Sequence, residues 1–349
     1  MHMADALLSP GVGGAMWAAT AATTVYCARR VQQEADDRKV PLMGVLGAFV
    51  FAAQMINFTI PGTGSSGHIG GGLLLTILLG PHAAFLTIAS VLAVQALFFA
   101  DGGLLALGAN IFNLGVFPCF VAYPLVFRPL AGDRPSPVRL SLASLAGAVV
   151  GLELGVLGVV VETIASGITE LSFGQFAALI LPIHLAIGVG EGLVTAAVVN
   201  FARRAEPGLF APDAPRSAAG HRRLLVALGV AALVVGGALS WFASAHPDGL
   251  EWSLAKVTGS EELPAPADGV HGALARLQEK LSFLPDYSLP GPAEEPEAGG
   301  EASGSEAWPA VDPGTSVSGI VGGLLTLAAA LGLGFALRRK GRTAANSPT

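Results

Sequence analysis

Eight apolar stretches punctuate the chain, at about 7–28, 42–59, 72–99, 104–127, 140–166, 174–202, 223–243 and 317–337. Each is long enough, or nearly so, to cross about 30 Å of hydrocarbon as a helix. The pattern predicts an all-α polytopic membrane protein. The run 72–99 is anomalous, because as one helix its 28 residues would extend about 42 Å. It also contains Gly80-Pro81, a pair that breaks helices. It is read as a double pass whose first half is too short to cross fully.

Composition agrees: of 349 residues, 52% are hydrophobic and 13% charged, where soluble domains carry about 25% charged residues. With a mean hydropathy of +0.62 there is too little polar surface for a water-soluble globule. Nucleic-acid binding is excluded by the same shortage of charge. Cys27 and Cys119 lie inside apolar runs and read as core residues, too few for a disulfide framework or a Cys-rich zinc site.

The few charges carry the topology. Of 19 basic residues, 16 fall in Arg29–Lys39, Arg128–Arg139, Arg203–Arg223 and Arg338–Arg342, which the positive-inside rule places in the cytoplasm. An even number of crossings must then separate Lys39 from Arg128, which the double pass in 72–99 supplies. Seven passes precede Arg204 and two more follow it, so the N-terminus is expected outside the cell membrane and the C-terminus inside. The segment 244–316 holds 13 of the 25 acidic residues and is placed outside. Its first part, Pro247–Leu289, has scattered apolar residues suited to a small membrane-surface fold. Its second, Pro290–Thr315, has the composition of a disordered acidic linker. Gly147, Gly151 and Gly155 recur at i, i+4 spacing, which suits close helix packing in lipid.

Topology also sorts the seven histidines. His2 and His68 fall on the same external side, His68 at the end of the Gly-rich loop Pro61-Gly62-Thr63-Gly64-Ser65-Ser66-Gly67. His2 has a special reach: the Met1 amine, the deprotonated His2 amide and the His2 Nδ1 can close fused five- and six-membered chelate rings on one ion. An imidazole from His68 would complete a square-planar N4 set, the geometry of Ni(II) or Cu(II). Displacing an amide proton excludes Mg(II) and Ca(II), which require oxygen ligands. The bulky His2 side chain should protect Met1 from removal. Ser66, Asn57 and Asn110 are further polar candidates for supporting the ligands. Asn57 and Asn110, with Gln54 and Asn113, equally suit interhelical hydrogen bonds. Glu153, His184 and Glu191 lie within spans, where ionisable groups are costly, and suit either a functional or a helix-packing role.

A competing motif occupies the same loop. Gly64-Ser65-Ser66-Gly67 matches the GxSG around the nucleophile of rhomboid-type intramembrane proteases, with His184 as a conceivable base. A metal receptor without transport is a third reading. No Walker A sequence occurs, so the chain cannot burn ATP by a P-loop.

Several segments together resemble one family. They are Met1-His2-Met3-Ala4-Asp5-Ala6-Leu7-Leu8-Ser9-Pro10, Asn57-Phe58-Thr59-Ile60-Pro61 leading to Ser66-Gly67-His68, and Asp101-Gly102-Gly103. Gly108-Ala109-Asn110-Ile111-Phe112-Asn113 and Glu191-Gly192-Leu193-Val194-Thr195 complete the set. They are similar to the CbiM/NikM family, the substrate-binding (S) components of energy-coupling factor (ECF) transporters for cobalt and nickel. The tail, with Pro247-Asp248-Gly249-Leu250-Glu251 and Leu284-Pro285-Asp286-Tyr287-Ser288, resembles the PDGLE or NikN-type small subunit. The resemblance divides the chain into an S component (1–204), a cytoplasmic linker (205–222), a PDGLE-like unit (223–337) and a basic tail (338–349).

It implies a seven-pass S-component bundle and a non-enzymatic ABC-type importer. It also implies metal ligation by Met1, His2 and His68, and Ni2+ or Co2+ carried as substrate without a cofactor. The implied partners are a T-component membrane protein and two ATPase subunits. Met3 and Ala6 depart from the commonest family opening, which has a larger aliphatic residue and a glycine there; Met3 is expected to pack rather than ligate. The ligand set does not separate nickel from cobalt, and Cu(II) would bind more tightly than either. The N-terminal chelate makes a sharp prediction: any residue added before Met1 turns the amine into an amide and abolishes nickel binding. Equilibrium metal titration of extended and unextended protein checks it, and unchanged affinity in the extended form would refute the chelate.

Overall fold

The computed structural model describes residues 2–34, 36, 38–210, 217–289 and 308–345. Its long helices are Pro10–Glu34, Lys39–Gln54, Pro81–Phe98, Leu107–Ala131, Pro137–Ser166, Phe173–Ala205, Ala218–Gly237 and Pro313–Ala345. Six of the described helices are long and apolar enough to cross a membrane, and Lys39–Gln54 is a shorter apolar helix. The chain is a helical, multi-pass membrane protein. The apolar run 72–99 divides at Gly80, whose φ of +82° suits glycine, into Gly72–Leu79 and Pro81–Phe98. The first piece has eight residues, about 12 Å of helix, and is too short to cross by itself.

Helix 107–131 opens into a wide π-helical coil over Phe112–Phe127, around Pro118 and Pro124. Neither proline can donate to the preceding turn, and a wider coil accommodates both rings. Small residues decide how closely helix 137–166 is approached. A Cβ on Gly155 would lie 3.0 Å from the Asn113 carbonyl oxygen, and one on Gly151 would lie 3.2 Å from the Ala122 Cβ. The i, i+4 glycines thus face helix 107–131, as their spacing suggests. From the other side Gly188 and Gly192 let helix 173–205 close against Val149 and Leu145.

Two features differ from the sequence pattern. The apolar stretch 42–59 leaves its helix at Gln54, and the following loop folds into a hairpin of β1 (Phe58–Ile60) and β2 (Ser65–Gly67). Gly62 and Gly64 make its turn at φ near +77° and +75°. Strands of three residues are too short to leave a periodic signal. The last helix begins at Pro313 rather than 317, because Asp312 caps it by accepting from the Gly314 and Thr315 amides at 3.1 and 2.7 Å. Most of the expected acidic linker, residues 290–307, lies outside the described residues.

Pro247–Leu289 does form a small fold, built on helices Gly249–Thr258 and Gly269–Leu281. It sits over the bundle end where the N-terminal segment meets the hairpin. Helix 313–345 anchors this unit by packing against helix 39–54 and helix 218–237. At the second crossing the backbones of Gly319 and Gly236 touch, so a side chain on Gly319 would run into the Gly236 carbonyl. Gly319→Val should force the two helices apart and cost about 1–3 kcal/mol; thermal unfolding of the detergent-solubilised protein measures it.

Candidate metal-binding site

The N-terminal segment is held by side chains acting as backbone. The Asn110 Oδ1 accepts from the Met3 amide at 2.9 Å, and its Nδ2 donates to the Met3 carbonyl at 3.2 Å. Gly103 donates to the same carbonyl at 3.0 Å. Asp5 reaches back to accept from the Ala106 amide at 2.9 Å. Met3 is fully buried in the core, which agrees with its expected packing role. Met1 lies outside the described residues.

This clamp lays the His2 ring on the His68 ring, with centroids 5.0 Å apart and planes inclined by 19°. Two imidazoles on adjacent corners of one coordination plane, at metal–nitrogen bonds of about 2 Å, have ring centres roughly 4.5 Å apart. The observed rings are a similar distance apart but stacked face to face, so they lie near one another and would have to turn side by side to share one coordination plane. His68 is buried, and its Nδ1 lies 3.0 Å from the Ile69 carbonyl oxygen. A carbonyl can only accept, so Nδ1 carries the proton and Nε2 the lone pair. Burial, reinforced by the charge of His2, pushes the His68 pKa down to about 3, which keeps the ring in the neutral form that metals require. The His2 Nδ1 lies 2.7 Å from the Asp101 Oδ1, and its Nε2 is buried without a hydrogen-bond partner. Burial raises the Asp101 pKa, but the charge of His2 and hydrogen bonds from His2 and Tyr287 outweigh it. The carboxyl is held well below the usual carboxylate range.

Behind His68 the loop is fastened by a carboxylate. Glu191 accepts from the Gly70 and Gly71 amides at 2.9 and 3.0 Å, and Gln54 donates to the Gly70 carbonyl at 2.8 Å. Gly71 has φ +77°. In front, the C-terminal unit adds a partner to β2. The Ser66 amide donates to the Pro247 carbonyl at 2.8 Å, and the Ser66 hydroxyl to the His246 carbonyl at 2.7 Å. Trp252 donates to the Thr63 carbonyl at 3.0 Å, and the Ser244 amide to the Asn57 carbonyl at 2.7 Å.

The Pro247–Glu251 sequence acquires a physical reading from this contact. Asp248 caps helix 249–258 by accepting from the Leu250 and Glu251 amides at 2.7 and 3.0 Å, and Glu251 returns the bond to the Asp248 amide at 2.8 Å. Gly249 lies against His184, where a Cβ would come within 2.7 Å of the imidazole Cε1.

The remaining sequence candidates fall as follows. Asn110 supports the N-terminal segment and Ser66 the C-terminal unit, while Asn57 lines the cavity above the histidines. The His184 Nδ1 bonds to the Ile180 carbonyl at 2.9 Å, and the Ser66 hydroxyl is spent on backbone carbonyls. Among the described residues no hydrogen bond joins Ser66 to His184, and the protease reading gains no support. The Oε1 of Glu153 is buried without a hydrogen-bond partner. Asp101 and Tyr287 sat in recognisable motifs, but a role for them could not be read because their meeting spans 186 residues of chain.

A cavity of about 710 Å³ opens above the histidine pair, between the bundle and the C-terminal unit. Among the described residues eight carboxylates line it, including Asp5, Asp101, Asp248 and Glu251, and no lysine or arginine does. The arrangement attracts cations and ends in buried imidazoles.

A helical bundle with such a site belongs among metal-transport membrane proteins, not enzymes. Residues 2–209 match CbiM, the cobalt uptake substrate-specific transmembrane region, and residues 222–339 match the PDGLE domain. The chain therefore belongs to the CbiM family, with a PDGLE domain fused behind it. A relative from Archaeoglobus fulgidus is 34% identical over 357 residues, covering 99% of this chain and 100% of its own. The fused nickel transport protein NikMN of Rhodobacter capsulatus is 34% identical, covering 82% of this chain and 88% of its own. A crystal structure of a transition metal transporter superposes with a TM-score of 0.52 at 30% identity, over 58% of this chain and 93% of that one.

The Glu191 contact generates a prediction. Glu191→Ala leaves two buried loop amides unsatisfied, each costing about 1–3 kcal/mol, and should weaken nickel binding at least about tenfold. Glu191→Gln, which keeps one acceptor, should lose less. Metal titration of both variants measures the order.

Proposed function

We propose that the chain is the substrate-capturing membrane component of an ECF-type transporter importing Ni2+ or Co2+. The observation that carries this reading is the stacking of His2 on His68, 5.0 Å apart, at the buried end of an acid-lined cavity. In the proposed loaded state the Met1 amine, the His2 amide and imidazole, and His68 surround the metal in one plane. Four nitrogens in a plane suit d⁸ nickel; the same set serves cobalt. The relatives' names, nickel transport protein for one and cobalt transport protein for another, cover both metals.

The mechanism follows from the residues. A hydrated cation is drawn into the cavity by carboxylates and loses its waters as neutral imidazole replaces them. The cavity is the extracytoplasmic mouth, with the N-terminus outside and the C-terminus inside. The His2 Nδ1, held by Asp101 in this structure, must exchange that carboxylate for the metal before the fused chelate rings can close. Release to the cytoplasm requires work from a T component and two ATPase subunits, since the chain carries no P-loop. The C-terminal unit assists loading by holding the His68 hairpin through Ser66 and Pro247.

Metal accumulation in cells co-expressing a T component and ATPase subunits tests the reading. His2→Ala and His68→Ala should each abolish uptake, while Ser66→Ala should retain most of it. The reverse pattern would favour Ser66 chemistry. Binding without uptake in the complete system would make the chain a receptor.

A further inference from the structure

The C-terminal unit carries one helix with three distinct sides. In helix 269–281 His271 donates to the Leu8 carbonyl at 2.8 Å, and Gln278 to the Ala96 and Gly102 carbonyls at 2.9 and 2.7 Å, so this side rests on the bundle end. At about 100° per residue, Val270, Leu277 and Leu281 fall within about 40° of one another, roughly a quarter turn round from His271 and Gln278. This apolar stripe is open, with exposures of 47%, 46% and 38%. Arg276 and Lys280, both exposed, lie about as far round on its other flank.

The stripe continues along the chain to the ends of two spans. Phe283, itself exposed, packs on Phe98 and Phe99 with ring centroids 5.6 and 6.2 Å away. The Leu284 amide donates to the Phe98 carbonyl at 3.3 Å, at the last turn of the membrane-spanning helix 81–98. Exposed Leu289 then reaches the start of helix 313–345. A Cβ on Gly314 would lie 3.4 Å from the Leu289 Cγ, and the Ser318 hydroxyl donates to the Tyr287 carbonyl at 2.8 Å. Gly314 heads the row Val317, Ile320 and Leu324, the exposed apolar side of that span. Leu289 thus prolongs a lipid-facing surface past the end of its helix. Exposed aromatic rings mark the same level, where Phe242 and Trp308 meet edge to face at 5.4 Å beside the ends of helices 218–237 and 313–345. Aromatic side chains collect at the boundary between membrane and water.

Charge selects what covers the stripe. Segment 244–316 holds 13 acidic residues and three basic ones, Lys256, Arg276 and Lys280. Two of those three stand beside the apolar stripe, and among the described residues neither forms an ion pair. An apolar flank bordered by cations on an otherwise acidic unit is complementary to a bilayer surface with anionic headgroups.

We propose that helix 269–281 and the turn running to Leu289 form a membrane-surface anchor. Val270, Leu277, Leu281, Phe283 and Leu289 enter the leaflet on the cavity side, about 5–10 Å into the boundary between headgroups and acyl chains. Arg276 and Lys280 meet anionic phospholipid headgroups above them. The bilayer then holds, through the opposite bonds of His271 and Gln278, both the N-terminal segment at Leu8 and the loop at Gly102. The anchor requires only that the bundle spans a membrane, so it stands apart from the metal-capture reading.

Fluorescence quenching in lipid nanodiscs tests it on the full-length protein, whose two native cysteines are buried. Leu277→Cys, and Glu279→Cys on the opposite side of the helix, each receive an environment-sensitive fluorophore. Phosphatidylcholine spin-labelled near the headgroup end of its acyl chains should quench the label at 277 at least about twofold more than the label at 279. Replacing part of the phosphatidylcholine with phosphatidylglycerol should raise quenching at 277, and Arg276→Gln with Lys280→Gln should remove that rise. Leu281→Cys, on the same stripe, repeats the measurement where Leu277→Cys folds poorly. Equal quenching of the stripe and of position 279 would overturn the anchor. A label at 277 that lipid leaves unquenched, but that becomes shielded when a T component and ATPase subunits are co-reconstituted, would overturn it in favour of a protein partner. No rise with phosphatidylglycerol, or a rise that survives loss of both cations, would overturn the headgroup contact.

Discussion

The candidate site depends on one constraint, which is that two irregular stretches of backbone must be satisfied where little water reaches them. Residues 2–9 and 61–71 form no long helix, yet much of each is buried. In such surroundings an unmade backbone hydrogen bond costs several kcal/mol. The chain meets this with side chains standing in for strands. Asn110 pairs with both polar groups of Met3, Asp5 with the Ala106 amide, and Glu191 with two successive glycine amides. These bonds leave the two stretches little freedom, and the two imidazoles they carry are brought together as a result.

The same constraint explains why the C-terminal unit is integral to the site. The outer edge of β2 would expose the Ser66 amide, and the segment entering helix 249–258 covers it. Close approach there requires Gly249 over His184, and a helix can start at that point only because Asp248 and Glu251 cap it reciprocally. The Pro-Asp-Gly-Leu-Glu sequence is thus the signature of a docking contact. On the opposite side of the cavity His271 donates to the Leu8 carbonyl at 2.8 Å, and Tyr287 meets Asp101 at 2.5 Å. The unit closes the cavity from both flanks while leaving acidic walls that attract a cation.

Much of the fold was legible in one dimension. Hydrocarbon thickness imposes a length on every apolar run, so the helices could be placed, and Gly80-Pro81 announced the break in 72–99. The hairpin at 58–67 and the start of the last helix at Pro313 were not legible, because short strands and a single capping aspartate leave no periodic trace. Among the site residues, His2 and His68 stood out because their chemistry is peculiar to a chain terminus and a glycine-rich loop. Glu191 stood out as a carboxylate in an apolar span, but its purpose was hidden, since the amides it satisfies lie 120 and 121 residues away.

The division follows from the range of the forces involved. Membrane class, helix positions and the candidacy of two histidines as metal ligands depend on local composition and local covalent chemistry, which can be read along the linear chain. The stacking of those histidines, the grip of Glu191 on the His68 loop, and the path from Tyr287 through Asp101 to His2 are contacts between distant segments. Their existence depends on helix packing through glycine faces and on the docking of the C-terminal unit, which only the folded chain brings within hydrogen-bonding distance.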